Sequence, residues 1–352
     1  MFYKNLLKPI LFRFNPEKVH DFFVMNGEFL GRYEFTREII SLIYGYKGND
    51  ISKTIDGVKY RTPVILSAGF DYNGQLTEIL PSLGFGGEEI GSVTARSCEG
   101  NAKPRLTRLP RSRSILVNKG LRNDGVDTII RRIKSKSRIP DFVIGISIAR
   151  TNDEKSVPIQ AGIEDYMYSF RRLNEENIGD YYTINISCPN SFGGEAFTTS
   201  DLLDRLISSI STIPCNKPIY IKMPINLSWE DFRSLLDIIK KYKIIKGVII
   251  GNLNKDYSSL DMQKEAPYNF KGGLSGKPCA HPSTLLIDKT REYCGKDFTI
   301  IGCGGIMSPD SAMEKFHAGA NLIHLITGMI YEGPGLVKRI LKKYQCEKNA
   351  SV

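Results

Sequence analysis

From about residue 60 onward the chain alternates short apolar runs with longer amphipathic stretches. The runs are Pro63–Ala68, Glu88–Val93, Phe142–Ile148, Tyr182–Ile186, Ile219–Met223, Gly247–Ile250, Phe298–Gly302 and Asn321–Ile326. Several are β-branched and apolar at nearly every position, as strands covered by helices on both faces must be. Between them, Thr199–Ile210, Ser228–Lys241, Ser283–Tyr293 and Ser308–His317 carry apolar residues at helical spacing and can serve as crossover helices. Eight such strands in series predict an α/β protein, a (β/α)8 TIM barrel in preference to an open sheet. The wide gaps at 94–141 and 251–297 then become long loops at one face.

The first 45 or so residues follow another pattern. Met1 to Phe14 is short, apolar and basic, with Leu6, Leu7, Ile10, Leu11, Phe12 and Phe14 set among Lys4, Lys8 and Arg13. Asn15-Pro16-Glu17 reads as a helix start: Asn caps free amides, Pro suits the first helical position, and Glu complements the dipole. Val19, Phe22, Phe23, Phe29 and Leu30 give that helix one greasy side. Two short amphipathic helices result, with more apolar surface than they can hide from each other. The surplus either packs onto the main domain or lies on a membrane surface, where Lys and Arg meet anionic head groups. Lys8, Pro9 and Arg13 interrupt the stretch and no small-residue cleavage site follows, so it is not a secretory signal. The expected division is a helical extension over 1–45 and a barrel over 46–352.

Composition narrows the function. In 352 residues, 41% are hydrophobic and 24% charged, which excludes a disordered chain. Lys and Arg number 48 against 38 Asp and Glu, a net +10, yet the basic residues are spread out and not interleaved with aromatics. No nucleic-acid partner is expected. The seven cysteines are scattered without any C-x-x-C, so neither a metal site nor an iron–sulfur centre is expected, and the odd count points to a reducing compartment. No apolar run reaches the roughly 18 residues of a membrane span.

Polar and glycine-rich residues gather at the strand ends, where a barrel builds its active site. The most informative stretch is Asn185-Ile186-Ser187-Cys188-Pro189-Asn190, ahead of Phe192-Gly193-Gly194. Two carboxamides flanking a thiol suit a planar, amide-like ligand such as a pyrimidine. The thiol can act as base or nucleophile, or be an inert buried residue. Each glycine pair taken alone is equally a plain turn.

The order of motifs resembles the dihydroorotate dehydrogenases, the flavin enzymes of pyrimidine synthesis. Besides the 185–190 stretch, the matches are Ala68-Gly69-Phe70-Asp71-x-Asn73-Gly74, Gly91-Ser92-Val93-Thr94, Gly100-Asn101-x-x-Pro104-Arg105 and Asn123-Asp124-Gly125-Val126-Asp127. They continue with Gly272-Gly273-Leu274-Ser275-Gly276-Lys277-Pro278, Ile301-Gly302-x-Gly304-Gly305-Ile306 and Glu332-Gly333-Pro334-Gly335-Leu336-Val337. Phe12-Arg13-Phe14-Asn15-Pro16-Glu17-Lys18-x-His20 resembles the extension of the membrane-associated, quinone-using class.

The resemblance implies FMN as cofactor, with its phosphate on backbone amides of Gly276, Gly304, Gly305 and Ile326-Thr327-Gly328. A helix start after Gly305 would add dipole attraction. It implies Lys222 beside the flavin, and Ala68, Gly69, Tyr72, Ser92, Ser147, Asn185 and Gly251 around it. Cys188 then takes the C5 proton of dihydroorotate while hydride leaves C6, giving orotate. Asn185, Asn190, Asn252 and the loop Asn118, Lys119, Gly120 and Leu121 hold the substrate. A quinone is the implied acceptor, with no iron–sulfur partner subunit. The implied location is peripheral, on the cytoplasmic face of the cell (inner) membrane, with the soluble cytoplasm as second choice.

Several positions depart from the family pattern. Cys188 stands where the membrane-associated class generally has Ser, Tyr72 replaces a lysine that helps hold substrate and flavin, and Ser147 replaces an Asn. Gly251 and Leu253 replace hydroxyl residues around Asn252, and the substrate-loop amide, Asn118, is displaced by one position. Lys119 or Arg122 is expected to supply the missing cation, because a buried carboxylate ligand needs one. Three alternatives remain open: a soluble-class enzyme using fumarate, a flavin enzyme acting on another dihydropyrimidine, and a flavin-binding barrel without turnover.

Overall fold

A computed structural model describes residues 3–350 apart from 193, 259–263 and 268–270, so Gly193 of the glycine-rich loop lies outside the described residues. The barrel strands are β1 (Val64–Leu66), β2 (Gly87–Val93), β3 (Val143–Ile148), β4 (Tyr181–Asn185), β5 (Ile219–Met223), β6 (Ile245–Ile250), β7 (Thr299–Cys303) and β8 (Leu322–Leu325). They pair in parallel in chain order and close, β8 onto β1. Each lies on one of the apolar runs. Crossover helices run over Ser200–Ile210, Trp229–Lys241, Ala280–Cys294 and Pro309–His317. The helix at Trp229 starts where Ser228 Oγ accepts the amide of Asp231 at 3.1 Å.

Successive strand side chains point to opposite faces. One set, including Leu66, Ile90, Ile144, Ile184 and Ile221, packs against the helices. The other includes Ile65, Val143, Tyr181, Tyr220, Ile301 and Leu322, which form a separate buried cluster. Two residues further along each strand, the same inward face carries Ser67, Gly145, Thr183, Lys222, Cys303 and His324. The interior is therefore apolar towards the strand starts and polar at the mouth.

The gaps at 94–141 and 251–297 are not plain loops. Leu106–Leu109, Ser114–Val117 and Gly273–Gly276 form a three-stranded antiparallel sheet, and Val126–Lys134 is a helix. Strands of four residues are too short for alternation to stand out in the sequence.

Among the described residues the extension holds three helical segments where two were expected: Tyr3–Leu7 continuing into Lys8–Leu11, α1 (Pro16–Gly31) and α2 (Glu34–Tyr44). The α1 start is as read, with Asn15 Oδ1 accepting the amides of Glu17 at 2.9 Å and Lys18 at 3.1 Å. Helix α2 has no side-chain cap at Tyr33, so nothing in the sequence separates it from α1. Glu17 anchors α1 to the barrel, its Oε1 lying 3.2 Å from Arg105 and 3.3 Å from Lys119. Phe14, Phe22, Met25, Phe29, Phe35 and Leu42 remain exposed. Among the described residues no helix is long and apolar enough to cross a membrane.

Candidate active site

A cavity of about 660 Å³ opens at the carboxyl ends of the strands and continues between the extension helices. That size suits a small-molecule ligand. Its wall includes Ala68, Gly69, Tyr72, Lys119, Lys222, Gly251, Asn252, Gly276, Gly304, Gly305, Ile326 and Thr327. These residues come from separate loops, and the fold brings them together. Cys188, Asn185, Asn190, Asn118, Gly120, Leu121, Ser92 and Ser147 are not on that wall; they form the polar structure beside it.

Cys188 follows β4 in a loop held from two sides. On one side Asn252 Nδ2 donates to the Ser187 carbonyl and hydroxyl, each at 2.7 Å, while Asn185 Oδ1 accepts from Ser187 Oγ at 3.2 Å. Asn185 Nδ2 in turn donates to Ser92 Oγ at 2.8 Å, and Ser92 Oγ lies 2.8 Å from Ser147 Oγ. On the other side Asn190 Nδ2 donates to the Val117 carbonyl at 2.9 Å, and Asn101 Nδ2 bridges the Asn190 carbonyl and Asn118 Oδ1. Asn152 completes this set by donating to the Gly120 carbonyl at 3.0 Å. The loop carrying the thiol is thus fixed to the loop at 117–120 through carboxamides. Burial pushes the Cys188 thiol up to about 11, against the Asn190 amide, which favours the thiolate.

At the other end of the mouth the glycine segments converge. Gly276 has φ +81°, and a Cβ there would stand 2.5 Å from the Arg113 carbonyl oxygen and 2.9 Å from the Thr327 methyl. A Cβ on Gly305 would meet Ala280 Cα at 2.2 Å. Only bare backbone fits, which leaves amides close to any ligand there. Thr327 Oγ1 donates to Ser275 Oγ at 2.9 Å, and the turn into Thr327–Glu332 has no side-chain cap. The helix expected after Gly305 begins at Pro309, where Ser308 and Ser311 cap it reciprocally. Those side chains occupy amides of its first turn, whereas no side chain caps the start at Thr327. At Gly69, with φ +107°, a Cβ would meet only Ile326 Cδ1, at 3.7 Å. The gap on that side is the cavity itself. Uncapped amides, a cation in Lys222 and a mouth lined by glycine fit a phosphate-bearing planar group.

The departure at Tyr72 has a structural counterpart. Lys119, buried on the cavity wall, holds Nζ 4.9 Å from the centre of the Tyr72 ring. Burial and the nearby Arg122 lower its proton affinity, and Glu17 opposes them. Arg122 is not on the wall; its side chain is 39% exposed and lies 3.5 Å from Asp21. Of the two candidates, Lys119 is the one on the cavity wall.

Other wall residues were not singled out from sequence. His20 Nε2 lies 2.7 Å from the Phe70 carbonyl, with its ring 5.1 Å from Tyr72. Arg108 donates to the Phe14 carbonyl at 2.8 Å and covers the Phe12 ring. Both join the extension to the mouth. His20 sits in the quoted N-terminal motif, and Arg108 lies three residues beyond Arg105 of another.

These features agree with comparisons to known proteins. The family described as "Dihydroorotate dehydrogenase" matches residues 50–346. A Christiangramia forsetii protein named "Dihydroorotate dehydrogenase (quinone)" is 36% identical over 97% of this chain and 98% of its own. A protein of the same name from Aliivibrio fischeri is 35% identical over 94% of this chain and 96% of its own. A solved Eimeria tenella DHODH in complex with ferulenol shares the fold, with TM-score 0.76 and 24% identity over 91% of this chain and 92% of that one. The barrel, the fixed thiol loop and the near full-length relatives together place this chain in the dihydroorotate dehydrogenase family.

Proposed function

We propose that the chain oxidises dihydroorotate to orotate with FMN as resident cofactor and a quinone as electron acceptor. The observation that carries this is the continuity of one cavity, from Lys222, Gly276 and Gly304 at the mouth to Leu7, Val19 and Leu30 in the extension. Residues of the mouth would hold a flavin within reach of the thiol loop on one side and of the space between the helices on the other. Bound flavin would supply the two-electron acceptor that no side chain provides. Gly276, Gly304, Gly305 and Thr327 would hold its phosphate, and Lys222 its ring.

Cys188 takes the C5 proton, and the loop holding it sets its approach. Asn185, Asn190, Asn252 and Asn118 supply the donors and acceptors that fix a pyrimidine plane. Lys119 faces the substrate carboxylate and answers the case for another dihydropyrimidine, which rested on the missing lysine. The apolar outer face of the extension, led by Phe22, Met25, Phe29 and Leu42, then rests on a lipid surface, from which a quinone enters. A peripheral position on the cytoplasmic face of the inner membrane follows.

Anaerobic mixing of the purified holoprotein with dihydroorotate tests the reaction. Rapid loss of oxidised-flavin absorbance is expected, slowed roughly 100-fold or more in Cys188→Ala. A yellow protein that dihydroorotate does not bleach would refute the substrate, and one that cannot be loaded with FMN would refute the cofactor.

A further inference from the structure

At the floor of the mouth, around Lys222, lies a buried ionic group whose carboxylate and imidazole the steps above do not use. Glu89 on β2 is fully buried. Its Oε1 lies 3.6 Å from Lys222 Nζ on β5. Its Oε2 accepts from Thr183 Oγ1 on β4 at 3.2 Å and lies 3.7 Å from His324 Nδ1 on β8. Tyr181 on β4 and, further down, Tyr60 also act on Glu89, and the Cys188 thiol acts on Lys222. Lys222 also reaches Ser67 Oγ, at 3.5 Å. Glu89 Oε1 and both ring nitrogens of His324 have no hydrogen-bond partner among the described residues.

Burial, reinforced by Lys222, keeps the His324 ring neutral. With that ring uncharged, Lys222 is the cation that faces Glu89 in this group. Burial raises the Glu89 pKa above the usual carboxylate value, and Lys222, Thr183 and Tyr181 offset that only in part. Lys222 lines the cavity and Glu89 does not, so the ammonium stands between the carboxylate and any ligand. If that ligand acquires negative charge, it competes with Glu89 for the same cation. A buried carboxylate whose only cation is shared in this way gains a proton more readily.

We propose that Glu89 is a positioning residue for Lys222, and that it takes up one proton when a flavin ring above Lys222 is reduced. This rests on flavin occupying the mouth. The charges balance: hydride brings two electrons and one proton, leaving the ring one unit more negative, and a solvent proton on Glu89 restores neutrality. On reoxidation two electrons and both protons depart, matching the needs of a quinone becoming a quinol. His324, on the cavity wall and 3.7 Å from Glu89 Oε2, stands between the cavity and that carboxylate.

The test compares wild-type and Glu89→Gln holoproteins, each reduced anaerobically with dithionite over a pH series above neutrality while flavin potential is recorded. The slope gives the protons bound per electron pair by linkage. Two are expected for the wild type over part of that range and one for Glu89→Gln. Equal slopes in two yellow proteins would overturn the inference, whereas failure to bind flavin in the wild type would overturn the flavin reading instead. If Glu89→Gln does not fold, Thr183→Val removes one hydrogen bond to the ionised carboxylate at similar volume. It is expected to move the two-proton range to higher pH, and an unmoved range would overturn the proposal.

Discussion

At the residue scale the thiol and the lysine set the two sharpest expectations. Cys188 acts as a base only as thiolate, and burial pushes its pKa up to about 11. The sign follows directly: below that value the thiolate fraction grows about tenfold per pH unit. Flavin bleaching by dihydroorotate should therefore accelerate with pH through the neutral and mildly alkaline range. A stopped-flow series showing a rate that is flat there would mean that another group takes the proton. Lys119 faces the opposite problem, since its charge has to survive burial next to Arg122. Glu17 compensates at 3.3 Å, leaving other ammonium hydrogens for a ligand. Lys119→Met should raise the KM for dihydroorotate about tenfold or more, about 1.4 kcal/mol, with a smaller effect on kcat. An unchanged KM would remove Lys119 from the carboxylate site. Sequence placed Lys119 and Arg122 as equals, because neighbours in a loop cannot be told apart until the chain's path is known.

At the element scale, α1 is joined to the barrel by charge as well as by apolar contact. Burial alone would raise the pKa of Glu17, but Lys119 and Arg105 outweigh it and hold the carboxyl below its usual range. A depressed carboxyl stabilises the fold above its unfolded pKa, and that contribution fades as pH falls through the folded value. Glu17→Gln should thus lower stability by about 1–3 kcal/mol at neutral pH. The difference from wild type should shrink in acid. Thermal unfolding at several pH values checks this, and a deficit that stays constant into acid would show that charge is not what joins them. The start of α1 was legible because Asn15, Pro16 and Glu17 each satisfy a different requirement of a helix end. The start of α2 was not, since Tyr33 offers no cap and the apolar spacing runs on from α1. The small sheet was missed for a related reason, its strands being only four residues long.

At the scale of the whole molecule, the barrel was legible because its strands are apolar on both faces, and that same property concealed what lies inside. In a strand buried on both sides the sequence does not say which alternate positions turn inward. Glu89, Thr183 and His324 read as isolated polar residues until the closed barrel sets them around Lys222. The shared cavity was hidden likewise, because its two ends come from residues more than 300 positions apart, Leu7 and Thr327 among them. On the proposed function, that continuity would place the acceptor apart from the substrate. Val19, on α1, lines the cavity between the helices, so a larger side chain there is a test of that part of it. Val19→Trp should leave anaerobic bleaching by dihydroorotate within about twofold of wild type. It should cut steady-state turnover with a quinone roughly tenfold or more, a barrier increase of about 1.4 kcal/mol. Equal loss in both assays would mean that the substitution disturbs the mouth itself. No loss in either would mean that the acceptor approaches the flavin by another route, and that the apolar end of the cavity does not carry the quinone.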